Sequence, residues 1–303
     1  MQLFFVISGY LIFQSAQHNS LKAYYCHRLL RIFPVYIFLY IGLGVVLGVI
    51  DLNRLATDWP SVMVNLLSLQ HIFPAALVGY DVFHVSWTLT VELFWYLIAP
   101  MFVILIRVYP KVTLLISAAI SLGFVALADQ GRLDFIYADQ VSSTGFDIEY
   151  FRVFFLNNAF PSILIFFLLG AVVSEYRETL LKIPSAILLI AFLSLSVALS
   201  YLDQLDIAVL SSSPNFLAGI GLAALLLLSM KCLNFKLAFI KHIADISYSF
   251  YLVHFTVILY LANNYLAHPV VQSLLALVVI IVISSVLFFG LEKPFMRMAK
   301  RIK

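Results

Sequence analysis

Charge is scarce in this chain: 11% of its 303 residues are Asp, Glu, Lys or Arg, whereas soluble domains carry about 25%. Cysteine is scarcer still. Cys26 and Cys232 are the only two, and both lie near predicted cytosolic ends, where thiols stay reduced, so we expect no disulfide. No HxxxH or HExxH spacing occurs and the two cysteines are far apart in sequence, so we expect no metal site. No basic tract suggests a nucleic-acid partner.

Hydrophobic residues make up 63% of the chain, and the mean hydropathy is +1.05. Apolar runs of about 20 residues, the length that crosses the hydrocarbon core, recur along it. Because backbone groups in lipid must be hydrogen-bonded within their own segment, these runs indicate spanning helices. The period-2 alternation of barrel strands is not visible. We therefore predict an all-α polytopic transmembrane bundle, with one integral-membrane domain over residues 1–303.

The apolar runs predict about nine spans. They are Leu3–Ala16, Ile32–Ile50, Val85–Val108, Val112–Ala128, Val153–Ser174, Pro184–Tyr201, Ile207–Met230, Ile243–Ala262 and Val270–Leu291. The first is short, because its helix would rise only about 21 Å against a hydrocarbon core of about 30 Å. The stretch Trp59–Phe73 is apolar but interrupted by Pro60, Asn65 and Gln70, so we predict an interfacial or re-entrant helix there.

Basic residues separate strongly between the two sets of predicted loops. The loops after the first, third, fifth and seventh spans, together with the tail, hold all but three of the 18 Lys and Arg residues. The opposite loops hold Arg54, Arg132 and Arg152 and most of the acidic residues. Because basic loops stay in the cytosol, the positive-inside rule predicts a cytoplasmic C-terminus. Met1 would then lie outside, and one further upstream helix would return that end to the cytosol.

Glu92 is the only acidic residue that we place well inside a predicted span. An ionisable group there costs at least about 2.5 kcal/mol, so it normally has a partner or a function. Thr88, Glu92 and Tyr96 recur at helical spacing and form one polar stripe. We interpret Glu92 as a functional residue. A buried carboxyl that is only hydrogen-bonded to a neighbouring helix is the alternative.

His254 lies in a polar stretch of the eighth span, where Ser247, Tyr251 and His254 share one helix face. A membrane histidine is often only a hydrogen-bonded contact between helices, so a structural role stays open beside a functional one. Trp87 and Trp95 are expected mainly in the aromatic belt at the membrane interface.

Arg28 and Arg31 stand three residues apart at the predicted cytosolic boundary. Two guanidinium groups so placed can hold a phosphate or a carboxylate through paired hydrogen bonds. Arginines at this boundary also commonly anchor a chain, which is the alternative. The basic tail from Lys293 to Lys303 predicts contact with anionic membrane lipid.

Five short motifs, in order and over nearly the whole chain, resemble those of the membrane acyltransferase-3 family. Residues 4–12 (FFVISGYLI) resemble its FFVLSGFLI signature, and residues 25–36 (YCHRLLRIFPVY) resemble its next motif. Residues 86–96 (SWTLTVELFWY) resemble its WSLSVE motif, and residues 247–254 (SYSFYLVH) match its SYSIYLxH motif. Residues 292–295 (EKPF) are similar to its closing ERPF.

The resemblance implies an enzyme of the bacterial inner (plasma) membrane. It would move an acyl group, expected to be acetyl, from cytosolic acyl-CoA to a hydroxyl of a cell-surface or lipid-linked glycan. Acyl-CoA (acetyl-CoA) is then a donor substrate rather than a bound cofactor. Glu92 would act catalytically by orienting a base or a cation, and His254 as a supporting polar group. The expected substrate-binding residues are Arg28, Arg31, Trp87, Tyr251 and Ser247.

One family feature has no counterpart here. The family's first helix carries a basic residue and, further along, a histidine regarded as the catalytic base, and no histidine in this sequence inherits that role by motif. We therefore expect a chain that is N-terminally truncated relative to the family. A truncated, inactive acyltransferase remnant is one alternative function. A flippase or transporter for a lipid-linked sugar is the other, although no internal repeat typical of transporters is visible.

Overall fold

The computed structural model describes residues 1–204, 216–232, 238–265 and 268–302, and none of these lies in a β-strand. The α-helices in chain order are α1 (Gln2–His18), α2 (Leu21–Val46), α3 (Leu52–Thr57), α4 (Trp59–Leu66), α5 (Trp87–Val108), α6 (Pro110–Asp129), α7 (Ala138–Thr144), α8 (Ile148–Tyr150), α9 (Phe160–Glu175), α10 (Arg177–Leu180), α11 (Ser185–Gln204), α12 (Phe216–Cys232), α13 (Ala238–Asn264), α14 (Pro269–Leu287) and α15 (Lys293–Ala299). Short 3-10 turns lie at Pro74–Ala76 and Asp134–Ile136, and π-helical turns at Phe151–Leu156 and Phe288–Glu292. The prediction of an all-helical bundle is confirmed.

Each predicted span overlaps a helix over the described residues. Residues 47–50 of the second span lie beyond the end of α2, residues 157–159 interrupt the fifth span, and the start of Ile207–Met230 falls outside the described residues. Six helices of the described chain are long and apolar enough to cross a membrane: Leu21–Val46, Trp87–Val108, Pro110–Asp129, Ile148–Glu175, Ala238–Asn264 and Pro269–Ala299. Helix α1 has 17 residues, and two further apolar helices, Ser185–Ser200 and Leu217–Cys232, are of similar length. The count of nine spans, the single domain and the cytoplasmic tail stay predictions.

The first of two compact units comprises Met1–Asn19 and Val91–Leu233. Helix α9 lies at its centre, because α1, α6 and α12 all pack on it, and α11 packs on α12. Ten of the 16 residues of α9 are buried. A helix that is apolar all round belongs in a core, so the sequence of α9 itself selects this central place.

Two glycines set the distance between α1 and α9. A Cβ atom added to Gly9 would lie 2.7 Å from the Cα atom of Phe167, and one added to Gly170 would lie 2.7 Å from the backbone nitrogen of Tyr10. Real Cβ atoms do not approach backbone atoms that closely, so the two helices reach this separation only because both positions lack a side chain. Close packing through small residues is a main source of helix association in membranes.

The second unit comprises Ser20–Thr90 and Asn234–Lys303. Helix α2 is capped by Ser20, whose side chain accepts a hydrogen bond from the backbone nitrogen of Ala23 at 3.3 Å. Helices α13 and α14 pack on each other, and α15 packs on α2. Helix α5 is shared, since its residues up to Thr90 belong to the second unit and those from Val91 to the first.

Between α2 and α5 the second unit holds a stretch with little regular structure. The prediction that Trp59–Phe73 does not span is confirmed, because its helix α4 has only eight residues. Asn65 and Gln70, the polar residues that interrupt it, are at most 1% exposed. Their amide groups donate to the carbonyl oxygen of Ala76 at 2.6 Å and to Oγ of Ser86 at 2.7 Å. These interruptions therefore hold the irregular backbone together, as burial away from water requires.

The glycine contact between α1 and α9 predicts a specific loss of stability. Gly9→Ala should lower the free energy of unfolding by about 1–3 kcal/mol, because the added methyl group meets backbone that cannot move aside. Gly123 on α6 is the matched control, since a Cβ atom there meets nothing within 4 Å. Gly123→Ala should be neutral or stabilising by about 0.5–1 kcal/mol through helix propensity. The measurement is thermal unfolding in detergent, and equal stability of the two variants would contradict the packing described.

Candidate functional site

Glu92 of α5 lies in the first unit and is 7% exposed. Its Oε1 atom accepts a hydrogen bond of 2.8 Å from the hydroxyl group of Ser8 on α1, which is also buried. A carboxyl inside an apolar bundle needs such donors, because unmet polar groups there cost several kcal/mol. The sequence interpretation of Glu92 as buried is confirmed, and its contact on the neighbouring helix is Ser8, a residue of the 4–12 motif that the sequence analysis did not single out.

Aromatic rings surround this part of the first unit. Trp95 stacks on Phe167 with ring centroids 5.3 Å apart and an interplanar angle of 17°, and Phe5 packs on the same ring at 5.2 Å. Trp95 is 0% exposed and Trp87 is 3% exposed. The expectation that both tryptophans serve mainly in an interfacial belt was therefore wrong. Belt residues face lipid headgroups, whereas these rings fill the protein interior.

The start of α5 meets α13 in the second unit. The hydroxyl group of Tyr251 donates to the carbonyl oxygen of Val85 at 2.6 Å, and Oγ1 of Thr88 lies 2.5 Å from the same hydroxyl. The Thr88 hydroxyl also reaches the carbonyl oxygen of Val85 at 3.3 Å, so the two hydroxyl groups and this carbonyl oxygen form one hydrogen-bonded cluster. Two residues from separate sequence motifs are thus held together, which the sequence did not indicate.

Trp87 packs against the irregular stretch before α5. Its ring stacks on that of His71, with centroids 5.4 Å apart and an interplanar angle of 28°. The backbone nitrogen of His71 donates to Oγ1 of Thr90 at 3.4 Å, and that hydroxyl donates to the carbonyl oxygen of Ser68 at 2.7 Å. Trp87 is therefore a fixed, buried element of the second unit.

His254 lies one turn beyond Tyr251, and its Nδ1 atom is 2.6 Å from the carbonyl oxygen of Tyr251. A carbonyl oxygen only accepts, so Nδ1 carries a proton. In the neutral ring, Nε2 is then the acceptor. Ser247 does not join this pair: its side chain is exposed and donates to Ala244 of its own helix at 2.8 Å. The structure thus brings Tyr251 and His254 together and leaves Ser247 apart.

Arg28 and Arg31 lie half-buried on α2 in the second unit. Tyr248 of α13 donates to the carbonyl oxygen of Ile32 at 3.0 Å, and Nε2 of His27 lies 2.9 Å from the carbonyl oxygen of Ala299. These contacts tie α2 to α13 and α15 around the two arginines. The two arginines therefore lie on a helix that is braced by its neighbours.

The structure adds a buried position for Glu292, which the sequence analysis placed in the closing motif without assigning it a role. It is 1% exposed, its Oε2 atom accepts a 3.0 Å hydrogen bond from Ser249, and the positive charge of Arg31 acts on it. Glu92 is therefore not the only buried acidic residue of the described chain. The reason is that the helical path continues from α14 through a π-helical turn into α15, so Glu292 is enclosed and does not begin a solvated tail.

Asp81 organises the turn that leads into α5, outside the candidate spans. Its Oδ1 atom accepts hydrogen bonds from the backbone nitrogens of Phe83 at 3.1 Å and His84 at 2.9 Å. His84, in the left-handed region at φ 60°, places Nδ1 3.8 Å from Oδ2 of Asp81. Burial raises the pKa of Asp81 above its ordinary value, because it disfavours the charged form more than these donors favour it.

The polar side chains described above are carboxyl, imidazole and guanidinium groups within an apolar bundle, and these groups determine which chemistry is available. Among the described residues, no group of three or more His, Cys, Asp or Glu side chains is placed to hold a metal ion. What the clusters offer is a buried carboxyl in each unit, an imidazole with a defined acceptor nitrogen, and two guanidinium groups. Carboxyl and imidazole groups suit proton transfer, and guanidinium groups suit anion binding.

Comparison with known proteins gives one positive finding. The acyltransferase-3 family model, described as an acyltransferase domain, matches residues 1–289. That range contains every site residue predicted from the sequence, and Glu292 follows shortly after it. No curated protein and no solved structure matches the chain.

The raised pKa of Asp81 predicts how stability changes with pH. The unfolded carboxyl loses its proton near its ordinary pKa of about 3.9, before the folded one does, so stability falls as the pH rises from about 4 toward neutrality. Asp81→Asn stays neutral and keeps an acceptor oxygen for the two backbone donors, so its thermal unfolding temperature should decline less over that range.

His84 could produce a decline in the same direction, because its positive charge at low pH is attracted to Asp81. His84→Asn, which tolerates the left-handed conformation, is the control and should retain most of the wild-type decline. An Asp81→Asn curve as steep as the wild-type curve would refute the assignment.

Proposed function

The chain belongs to the acyltransferase-3 family, and on that premise we propose that it is a membrane O-acyltransferase. It takes an acyl group, acetyl in the simplest case, from acyl-CoA on the cytosolic side of a bacterial inner membrane. It delivers that group to a hydroxyl of a cell-surface or lipid-linked glycan. The observation that carries the proposal is the extent of the family match, which covers residues 1–289 and so takes in the candidate residues of both units.

The reaction sets the requirements on the site. The acceptor oxygen bonds to the carbonyl carbon of the thioester, the carbon–sulfur bond breaks, and the proton lost by the hydroxyl ends on the sulfur of CoA. A base must accept that proton during the reaction, and water that would hydrolyse the thioester must be excluded. The apolar bundle supports the second requirement, and the buried carboxyl and imidazole groups support the first.

Arg28 and Arg31 are proposed to bind phosphate groups of the CoA donor. Paired guanidinium groups match phosphate oxygens with several donors each. Lys22, earlier on the same helix, adds positive charge at its exposed end. The contacts of α2 with α13 and α15 support the proposal, because a braced helix loses little conformational freedom when the donor binds.

Glu92 is proposed to act as a positioning residue that orients a base or a cation near the reacting atoms. Its burial and its hydrogen bond from Ser8 support this role, since a fixed carboxylate orients another group better than a mobile one does. His254, Tyr251 and Trp87 are proposed to line the acceptor side as polar and aromatic contacts. The defined acceptor nitrogen of His254 supports its inclusion.

The donor proposal predicts an effect on KM. In membranes containing the protein, supplied with labelled acetyl-CoA, Arg28→Ala and Arg31→Ala should each raise the KM for the donor about tenfold or more, because each loses charged hydrogen bonds of about 1.5–3 kcal/mol. Arg28→Lys and Arg31→Lys should restore only part of the affinity for the donor, because lysine keeps the charge but lacks the planar guanidinium group that forms paired hydrogen bonds.

Arg107 is the matched control, because it forms an ion pair with Glu175 at 3.3 Å in the first unit. Arg107→Ala should leave the KM for the donor unchanged. Wild-type KM values in both Arg28→Ala and Arg31→Ala would show that these residues only anchor the chain.

The proposal for Glu92 predicts the opposite kinetic pattern. Glu92→Gln keeps the size of the side chain and an acceptor for Ser8 but removes the charge. The rate of acetyl transfer to membrane glycan should fall at least about a hundredfold, because the base or cation that Glu92 orients loses its alignment with the reacting atoms, with the KM for the donor little changed. The fall should occur at an unchanged amount of protein in the membrane.

Glu175→Gln, at a half-buried carboxyl of the same unit, is the control and should transfer acetyl at the wild-type rate. Full activity of Glu92→Gln would remove Glu92 from the mechanism. Wild-type membranes that transfer no acetyl group to any hydroxyl would overturn the proposed function itself.

A further inference from the structure

A cavity of about 400 Å³ lies between α13 and α14 in the second unit. Its lining consists of Phe250, His254, Ile258 and Ala262 from α13 and Gln272, Ser273, Ala276, Leu277 and Ile280 from α14. Small-molecule sites typically measure about 300–1,000 Å³ and combine a mostly apolar wall with a few polar groups. The cavity has both properties, and both of its helices belong to segments long and apolar enough to cross a membrane.

The three polar lining residues present acceptors to this cavity, because their donors are already used. The Nδ1 atom of His254 is engaged by the carbonyl oxygen of Tyr251. The amide nitrogen of Gln272 donates to the carbonyl oxygens of Leu261 at 2.9 Å and Tyr265 at 3.3 Å. The hydroxyl group of Ser273 donates to the carbonyl oxygen of its own helix at Pro269, at 2.8 Å.

The acceptors that remain are Oε1 of Gln272, the lone pairs of Ser273 and, in the tautomer with Nδ1 protonated, Nε2 of His254. A complementary ligand must therefore donate a hydrogen bond. Ketones, esters and ethers have no hydrogen-bond donor, so they suit the apolar lining of the cavity but cannot pair with its polar groups.

The absence of charged residues from the lining limits the class of ligand further. None of the nine lining residues is Lys, Arg, Asp or Glu. An anionic headgroup would find no cation there and an ammonium group no carboxylate, and an unpaired charge inside the membrane is costly. The ligand that remains is uncharged, with an apolar chain and a hydroxyl group.

We propose that this cavity binds a long-chain lipid alcohol from the bilayer, with the hydroxyl group donating to Nε2 of His254. His254 is the acceptor chosen because it lies farther along the helix from the α13–α14 connection than Gln272 and Ser273 do. An acceptor farther from the ends of two membrane-crossing helices lies farther from the water outside the bilayer, so it gains more from a donor. This is a statement about binding, so it stands or falls independently of acyl transfer.

The test is competition against a photoactivatable lipid alcohol, a dodecanol analogue with a diazirine in its chain. After illumination of the purified protein in detergent, mass spectrometry should find the label on peptides of α13 and α14. Dodecanol should displace the label at a concentration about threefold to tenfold lower than its methyl ether, because the ether lacks one hydrogen-bond donor. Labelling elsewhere in the chain, or equal potency of the two competitors, would overturn the proposal.

Two variants assign the polar contact. His254→Phe keeps a ring of similar size but has no acceptor, so the potencies of dodecanol and its ether should become equal while the potency of the ether stays unchanged. Ser273→Ala should retain the preference for the alcohol. A preference that survives in His254→Phe, or one that Ser273→Ala abolishes instead, would overturn the assignment to His254.

Two further variants test the cavity itself. Ala276→Phe fills it and should abolish labelling. Val278 does not line the cavity and is 58% exposed, so Val278→Phe adds bulk to the same helix and should leave labelling unchanged. Because His254→Phe retains binding of the ether, the proposal is still tested if Ala276→Phe does not fold.

Discussion

The rest of this structure depends on one constraint: in a chain so rich in apolar residues, a buried polar group that lacks a hydrogen bond inside the protein is costly. Each unit meets that demand in the same way at one oxygen of a buried carboxyl. In the first unit the hydroxyl group of Ser8 donates to Glu92, and in the second the hydroxyl group of Ser249 donates to Glu292. A serine hydroxyl supplies a donor without adding charge, so the carboxyl keeps its capacity to act on another group.

The same demand explains why the irregular stretch before α5 is packed so closely. Asn65 and Gln70 interrupt an apolar run in the sequence, and in the structure their amide groups hold the non-helical backbone in place. Trp87, stacked on His71, begins α5 from this support. The functional residues proposed on α5 and α13 therefore depend on this irregular stretch for their positions, although the hydrophobic pattern of the sequence shows it only as an interruption of an apolar run.

Much of the fold could be predicted because apolar length and periodicity determine where helices form in a membrane. The burial of Glu92 followed from the same reasoning, since its neighbours along the chain are apolar. The contact with Ser8 could not be predicted, because it joins residues 84 positions apart through the packing of α1. Glu292 was missed because its position beside Lys293 marks the end of an apolar run in sequence, whereas its burial depends on a π-helical turn and on α2. Trp87 was misjudged for a related reason: a tryptophan near a span end looks the same in sequence whether it faces lipid or, as here, His71.

The central claim is that Glu92 and Glu292 are enclosed by protein and shielded from water, and carboxyl labelling tests it most directly. A water-soluble carbodiimide with an amine nucleophile, applied to the protein in membranes opened to both sides, should modify the exposed Glu149 and leave Glu92 and Glu292 unmodified. Mass spectrometry reads each position separately. Labelling of Glu92 at the rate of Glu149 would contradict the account.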